Sequence, residues 1–150
     1  MRAVIQRVSH GSVTVDDKKI GEINHGLVVL LGVDVNDNEE DISWLANKIA
    51  NLRIYGDEKK LMNNSLIDVN GDLMIISQFT LFAKTKKGNR PSFINAAKSP
   101  KATNYYNSFC DEIESILLKK VVRGIFGADM TLNIVNEGPV TISIDSKNKD

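Results

Sequence analysis

Short runs of β-branched and apolar residues, separated by turn residues, open the chain and predict β-strands. Two such runs span residues 3–8 and 12–15, and the polar residues 16–19 that follow predict the turn of an antiparallel hairpin. A second turn is predicted over residues 21–26. The next run, 27–31, is apolar throughout, which is typical of a strand covered on both faces.

Two later segments repeat apolar residues at helical spacing and predict amphipathic helices. Residues 36–40 supply an N-cap and acidic first-turn residues, which complement the positive end of a helix dipole. The apolar face of the helix that starts there consists of Ile42, Leu45, Ala46, Ile49 and Leu52. The second helix carries its apolar face on Tyr106, Phe109, Cys110, Ile113, Ile116 and Leu117.

The remaining apolar runs predict further strands. Asn70-Gly71 is a dipeptide favoured in tight hairpin turns, and a strand over residues 73–82 follows it. Residues 84–101 are basic and contain glycine and proline, so they predict a loop. Strands over 130–135 and 140–144, joined by a turn, are predicted to close the domain.

These elements together predict the fold class. Regular crossover helices do not separate the strands, which argues against a doubly wound parallel sheet. The pattern indicates an α+β fold, in which a twisted, barrel-like, mostly antiparallel sheet carries two amphipathic helices. The length of 150 residues fits one domain over 1–150, because domain sizes peak near ~100–150 residues. Residues 146–150 are expected to form a frayed tail.

Charge and hydropathy narrow the functional classes. Lysine plus arginine and aspartate plus glutamate each number 19, giving a formal net charge of zero. Contact with nucleic acid must therefore come from a local basic patch. No apolar run approaches the ~18–20 residues needed to cross a bilayer, so no membrane partner is predicted. The N-terminal residues do not have the long apolar stretch of a secretory signal, which favours a cytoplasmic location.

Few residues offer conventional catalytic or metal-binding chemistry. Cys110 is the single cysteine, and its spacing to His10 and His25 matches no recognised zinc site, so neither a metal nor a cofactor is predicted. Its place on an apolar helix face favours a buried, inert thiol. Phosphate-loop, dinucleotide-binding and nucleophile-elbow motifs are missing. Nothing places either histidine beside a nucleophile, so a Ser-His-Asp hydrolase has no support.

Polar residues in the middle of the predicted strand 73–82 are unusual. Strand alternation would place Ser77 and Phe79 on one face and Gln78 and Thr80 on the other. Unpaired buried polar groups cost roughly 1–3 kcal/mol each, so such residues line a cavity or lie on a solvated edge strand. The pattern leaves these two interpretations equally open.

Two further segments are interpreted from their residues alone. The basic residues of 84–90, flanked by Phe82 and Phe93, could bind phosphates while an aromatic ring stacks on a base, or could form a solvated loop. By composition alone, residues 136–141 are an ordinary Gly-Pro turn.

Five blocks of the sequence, in their order and spacing, resemble the D-aminoacyl-tRNA deacylase family. The blocks run from the first residue to about Ile144 and comprise 1–8, 77–81, 88–93, 124–130 and 136–141. The resemblance implies a homodimer of barrel-like domains with the active site at the subunit interface. It also implies hydrolysis of the ester that joins a D-amino acid to the 3'-terminal adenosine of tRNA, and removal of mischarged glycine.

The same resemblance assigns site residues. The segment that lines the family's pocket corresponds to Ser77, Gln78, Phe79 and Thr80. The cis Gly-Pro peptide, which enters from the partner subunit and leaves no room for an L side chain, corresponds to Gly138 and Pro139. The residues that lie against the terminal adenosine correspond to Phe126 and Met130. From the charge of the basic segment, we expect the tRNA phosphates to contact Lys86, Lys87 and Arg90.

An activated ester beside a ribose hydroxyl needs positioning and oxyanion donors more than a strong nucleophile. One such donor is typically worth ~2.7–4 kcal/mol, and the backbone N–H groups of Phe79 and Thr80 are candidates. Thr80 as a covalent nucleophile is the competing role, but without an evident base its hydroxyl stays protonated. We therefore expect Thr80 to form a hydrogen bond rather than attack the ester. A non-catalytic RNA-binding module and a small-molecule-binding barrel are the alternatives from other functional classes.

Overall fold

A six-stranded mixed sheet, coiled into a nearly closed barrel, forms the centre of the structure. The structure is a computed structural model that describes residues 1–149. The strands are β1 (Arg2–Val15), β2 (Lys18–Ile23), β3 (Gly26–Gly32), β4 (Tyr55–Gly56), β5 (Met62–Asn64), β6 (Asp72–Ser77), β7 (Val122–Arg123) and β8 (Thr131–Asp145). The helices are α1 (Glu39–Ala50) and α2 (Lys101–Leu117), with a short 3₁₀ helix at Phe79–Phe82. β4 and β5 form a separate two-stranded sheet.

The long strand β1 organises the sheet. Its first half pairs antiparallel with β3, its second half pairs with β2, and β8 pairs along its other edge. β3 pairs in parallel with β6, and β6 with β7. β2 lies against β7, which brings the two ends of the sheet together. The α+β, barrel-like fold is thus confirmed, with the parallel pairs making the sheet mixed.

Both predicted helices are present and pack on the sheet. Asn38 is the N-cap of α1, and it exchanges hydrogen bonds with Asp41 in a capping box. The core between helices and sheet includes Phe109 and Ile113 of α2, both fully buried. Cys110 is buried, as predicted, and burial raises the pKa of its thiol to about 12. Among the helices of residues 1–149, none has the length and apolar character to span a membrane.

Several predicted boundaries are wrong because a long partner strand overrides local turn signals. Residues 3–8 and 12–15 belong to one strand, β1, and the hairpin turn consists of Asp16 and Asp17 alone, both with positive φ. The predicted turn over 21–26 is shorter, since β2 continues to Ile23. Asn70-Gly71 does precede a strand, but β6 pairs in parallel with β3 and forms no hairpin.

The C-terminal tail is packed further than predicted. Ser146 is buried, and its backbone N–H donates to the Met1 carbonyl oxygen at 2.8 Å. Its hydroxyl accepts from the Met1 ammonium and donates to Asp41. The expectation of a frayed tail from residue 146 is therefore wrong at Ser146, because the tail supplies partners to buried charges. Asp150, the last residue of that expected tail, lies outside the described residues.

The buried carboxylate of Asp41 links α1 to this tail. It accepts hydrogen bonds from the Lys147 ammonium at 2.6 Å, the Ser146 hydroxyl at 2.7 Å and the Asn38 backbone N–H at 2.9 Å. Burial raises the pKa of Asp41, but these hydrogen bonds outweigh that effect and bring the pKa down to about 2. The pKa in the folded protein lies below the ordinary value of 3.8, so the charged carboxylate stabilises the fold at pH values above 3.8. This contribution is lost as the pH falls through the folded-state pKa of about 2.

Asp41→Asn is expected to lower the free energy of unfolding at neutral pH by about 2 kcal/mol. The deficit relative to the unchanged protein should shrink between about pH 4 and pH 2, where the Asp41 carboxyl takes up its proton. Denaturant titrations at several pH values measure both effects. Glu40→Gln is a matched control, because Glu40 lies in the same helical turn but is exposed. An equal loss in the two variants would show that the hydrogen bonds of Asp41 are not the cause.

Candidate active site

The polar segment that follows β6 leaves the sheet. The last residue of β6, Ser77, pairs with Leu31, and the Gln78 N–H donates to the Leu31 carbonyl oxygen at 2.7 Å. The 3₁₀ helix then begins at Phe79. The predicted strand over 73–82 and its two polar faces are therefore wrong beyond Ser77. The reason is that β3 ends at Gly32, so β6 has no partner along which to continue.

Gly32 makes room for this change of direction. A Cβ atom at position 32 would lie 2.9 Å from the Phe82 ring and 3.0 Å from the Gln78 carbonyl oxygen, both too close. The buried Phe82 ring and the Gln78 backbone therefore pack directly on the glycine. A residue with a side chain at position 32 would displace the start of the 3₁₀ helix.

A cavity of about 330 Å³ lies where β6 ends, between the 3₁₀ helix, α2 and the segment before β8. Ser77, Gln78 and Phe79 line one side, and Phe126 and Met130 line another. The structure thus brings together five of the six cavity residues that the resemblance assigned within one subunit. The sixth, Thr80, comes directly after Phe79 within the 3₁₀ helix, and its hydroxyl accepts a hydrogen bond from the Gln78 side-chain amide.

Tyr106 forms part of the cavity wall. The sequence analysis placed this residue only in the core. Its hydroxyl donates to the Ile75 carbonyl oxygen at 2.7 Å, and its ring lies 5.9 Å from the Phe126 ring. Burial raises the pKa of Tyr106, so the hydroxyl stays a hydrogen-bond donor. Tyr106 thereby connects the end of β6 to Phe126. The helical spacing that identified a core position gave no signal of this second role.

The basic loop, residues 84–92, begins next to the cavity. Lys84 and Ser92 exchange two backbone hydrogen bonds of 2.8 and 3.0 Å, which close the base of the loop. Immediately after it, the Phe93 ring packs edge-on against the half-exposed Phe79 ring at 5.0 Å. The three cationic residues expected to contact phosphates are all exposed on this loop: Lys86, Lys87 and Arg90.

Gly138 and Pro139 lie in a bulge of β8. The predicted turn between two separate strands is wrong, because β1 is long enough to pair with both halves of one continuous strand. The register slips between Asn136, opposite Val8, and Thr141, opposite Gln6, which leaves the residues between them without ladder partners. Gly138 has φ +126°, a conformation that L side chains rarely adopt, and the Gly138–Pro139 peptide is cis.

Arg7 of β1 fixes this bulge from beneath. Its Nε donates to the Glu137 carbonyl oxygen at 3.1 Å, and its Nη1 donates to the Ile54 carbonyl oxygen at 2.5 Å. Arg7 pairs with Leu27, near the start of β3, whereas the cavity contacts Leu31 at the other end. Four residues of strand separate these positions by roughly 13 Å. The bulge and the cavity are thus separate surfaces of the chain.

Neither histidine lies beside Thr80. His25 precedes β3 and faces Glu137, at the end of the strand opposite to Leu31. His10 lies on β1 and faces Glu22 at 3.5 Å. Across residues 1–149, no three His, Cys, Asp or Glu side chains are grouped closely enough to hold a metal ion.

Comparison with known proteins places this geometry in a family. The family model described as D-Tyr-tRNA(Tyr) deacylase matches residues 4–145. The chain belongs to the D-Tyr-tRNA(Tyr) deacylase family. A protein named D-aminoacyl-tRNA deacylase from Flavobacterium psychrophilum is 55% identical over 150 residues, and one of the same name from Parabacteroides distasonis is 53% identical, with 100% of each chain covered in both cases.

Two solved structures share the fold of the chain. One described as c-Myc DNA Unwinding Element Binding Protein superposes with a TM-score of 0.92 at 38% identity, covering 97% of this chain and 98% of that one. Another, described as a probable eukaryotic D-amino acid tRNA deacylase, shares the fold with a TM-score of 0.79 at 19% identity, covering 95% and 98%. The resemblance found in the sequence is confirmed, and the chain is an enzyme of the deacylase class, a hydrolase of an ester bond.

Proposed function

We propose that the chain hydrolyses the ester between a D-amino acid, or glycine, and the 3'-terminal adenosine of tRNA, and so removes wrongly charged residues before translation. The carbonyl carbon gains a bond to the oxygen of water, the bond to the ribose oxygen breaks, and that oxygen takes a proton. The observation that carries the proposal is the cavity shared by Ser77, Gln78 and Phe79 with Phe126 and Met130. A substrate of charged tRNA also favours a cytoplasmic location.

The adenosine is proposed to bind against Phe126 and Met130. The cavity falls at the small end of the ~300–1,000 Å³ range of ligand sites, and its walls combine apolar side chains such as Phe126 and Met130 with polar ones such as Ser77 and Gln78. An aromatic ring such as Phe126 can stack on a base regardless of the sequence that precedes it. The contact with Tyr106 supports this role, because it holds the Phe126 ring at the cavity wall.

The backbone N–H groups of Phe79 and Thr80 are proposed to stabilise the developing oxyanion. They stand at the start of the 3₁₀ helix, where the first N–H groups have no intrahelical partner. Donors fixed in place before the reaction stabilise charge that develops in the transition state. Thr80 is proposed to orient the substrate or a water molecule. Its hydroxyl already accepts from Gln78, and neither histidine is near enough to remove its proton.

Chiral selection is proposed to come from Gly138 and Pro139 of the partner subunit, whose backbone carbonyls receive the α-ammonium group. The exposure of both residues and their separation from the cavity of their own protomer support a site completed by a second chain. Rejection of an L side chain by contact with the backbone leaves the site open to many D side chains.

The active species is therefore expected to be a dimer. Sedimentation of the enzyme at the concentrations used for kinetics, with activity assayed across the boundary, measures this directly. Activity should sediment at twice the 16.6 kDa of one chain. A fully active species at the monomer mass would contradict the composite site.

The basic loop is proposed to bind tRNA phosphates through Lys86, Lys87 and Arg90. Replacing Lys86 and Lys87 by alanine should weaken tRNA binding and lower the slope of log affinity against log salt by about 1–2, because fewer counterions are released. The preference for D- over L-aminoacyl esters should stay the same. Lys18→Ala with Lys59→Ala removes the same charge from exposed positions elsewhere and is the control. A collapse of chiral preference would instead assign the loop to the pocket.

The proposed function is tested by incubating the protein with tRNA charged with a D-amino acid, with an L-amino acid or with glycine, and measuring the release of each amino acid. We expect turnover of the D and glycyl esters and little turnover of the L ester. Tight tRNA binding without turnover would support the non-catalytic RNA-binding module. Absence of salt-dependent RNA binding would support the small-molecule-binding barrel.

A further inference from the structure

We propose that His25 and Glu137 are a pair of positioning residues that hold the Gly138–Pro139 segment and thereby determine selectivity for D- over L-aminoacyl esters. The inference rests on the proposed function, because it gives that segment its task. His25 lies in the turn between β2 and β3, and Glu137 lies directly before Gly138 in the β8 bulge. The pair thus connects two elements that are distant in the sequence.

The contact between the two side chains is direct. His25 Nε2 lies 3.3 Å from Glu137 Oε2, and each side chain is about half exposed, at 48% and 45%. Glu137 is in the part of β8 without ladder partners, so its side chain supplies an anchor that the sheet does not. The residue that follows Glu137 is Gly138, whose φ of +126° is a conformation that L side chains rarely adopt.

The imidazole is itself held in place. Its ring packs edge-on against the Tyr55 ring, with centroids 5.0 Å apart and an interplanar angle of 72°. Tyr55 is 2% exposed, so it gives the imidazole a rigid surface. The preceding residue, Ile54, accepts a hydrogen bond from Arg7. His25 packs on Tyr55 and Arg7 donates to Ile54, so both residues that contact Glu137 are held by the same two neighbouring residues.

Arg7 and His25 act on the same carboxylate. Arg7 Nε lies 3.5 Å from the Glu137 Oε2 atom that faces His25, and also donates to the Glu137 backbone carbonyl. With Arg7 alone, the Glu137 side chain would be fixed from the β1 side only. The contact with His25 adds a second direction, from the β2–β3 turn. Two non-parallel contacts fix a flexible side chain better than one.

A half-exposed pair of this kind contributes little to folding stability. Selectivity is a more sensitive property, because a small shift of the backbone at Gly138 changes the room left for an L side chain. A positioning role and a merely structural role therefore make different predictions. The first changes the ratio of D to L turnover, and the second changes the melting temperature.

The experiment compares His25→Leu, His25→Gln and Glu137→Ala in the full-length enzyme, measuring kcat and KM for D- and L-aminoacyl-tRNA. His25→Leu and Glu137→Ala should lower the D-over-L ratio of kcat/KM by about fivefold, equivalent to ~1 kcal/mol at 1.36 kcal/mol per factor of ten. His25→Gln should restore most of the ratio, because the glutamine amide offers N–H donors to the Glu137 carboxylate. The melting temperature should stay the same in all three variants.

His10→Leu is the matched control, since His10 also faces a glutamate, Glu22, at 3.5 Å and is 41% exposed. The proposal is overturned if His25→Leu leaves the D-over-L ratio at the level of His10→Leu, or if His25→Gln and His25→Leu behave alike. It is also overturned if both substrates lose activity equally together with melting temperature. Equal turnover of D and L esters by the unchanged enzyme would be a failure of the proposed function instead, and it is seen before any variant is compared.

Discussion

Alanine in place of Gly138 is expected to lower kcat/KM for D-aminoacyl-tRNA by about 100-fold, the loss that a displacement of roughly 1 Å at a reacting centre produces. Gly138 has φ +126°, and a Cβ atom there would lie 3.0 Å from the Arg7 guanidinium and 3.0 Å from the Val140 backbone nitrogen. The alanine variant can relieve these contacts only by moving the bulge. Single-turnover hydrolysis of D- and L-aminoacyl-tRNA measures the loss.

Gly56→Ala is the control for this exchange. Gly56 is exposed, and a Cβ atom there would meet its nearest neighbour at 3.6 Å, an ordinary contact. Its activity should match that of the unchanged enzyme. A Gly138→Ala enzyme that kept both its rate and its D-over-L ratio would show that chirality is selected elsewhere.

Loss of the Thr80 hydroxyl is expected to reduce the rate about 10–100-fold without abolishing turnover, which corresponds to ~1.5–3 kcal/mol of hydrogen bonding in the transition state. The hydroxyl accepts from Gln78, and the structure places no histidine beside it. An unactivated hydroxyl is a weak nucleophile at neutral pH. Steady-state kinetics of Thr80→Ala provide the measurement.

The Thr80→Ser variant distinguishes the effect of losing the hydroxyl from the effect of losing the methyl group. Because serine keeps the hydrogen-bonding oxygen, this variant should recover most of the rate lost in Thr80→Ala. Acid quench and mass spectrometry of the unchanged enzyme during turnover test the alternative directly. An amino acid esterified to Thr80 would establish covalent catalysis, whatever the rate of the alanine variant.

Residue-level patterns predicted the parts of the fold that depend on local spacing. The capping residues near Asn38 and the apolar face through Phe109 identified α1 and α2, since one helix face is buried wherever the helix packs. The apolar run at 27–31 identified β3 for a similar reason. Each of these patterns lies within a single element, so it can be recognised without knowing which element packs against it.

Features that depend on a partner element were not predictable in this way. The end of β6 at Ser77 is set by the end of β3, and the continuity of β8 through Gly138 is set by the length of β1. Tyr106 contributes to the cavity only because α2 passes over the end of β6. The proposed pocket residues came from the order of five sequence blocks, because no single block is decisive, whereas the residues proposed to contact phosphates came from charge.

The pairing of β1 with β8 has a consequence for biosynthesis. Arg2 pairs with Asp145 and Thr14 with Thr131, so the ribosome has made most of the described chain before the β8 edge of β1 can be covered. Until then, a 14-residue strand presents free N–H and C=O groups to other nascent chains. Contacts between such distant segments form slowly. The β8 edge of β1 is therefore open to pairing with other chains until β8 has been made and docks on it.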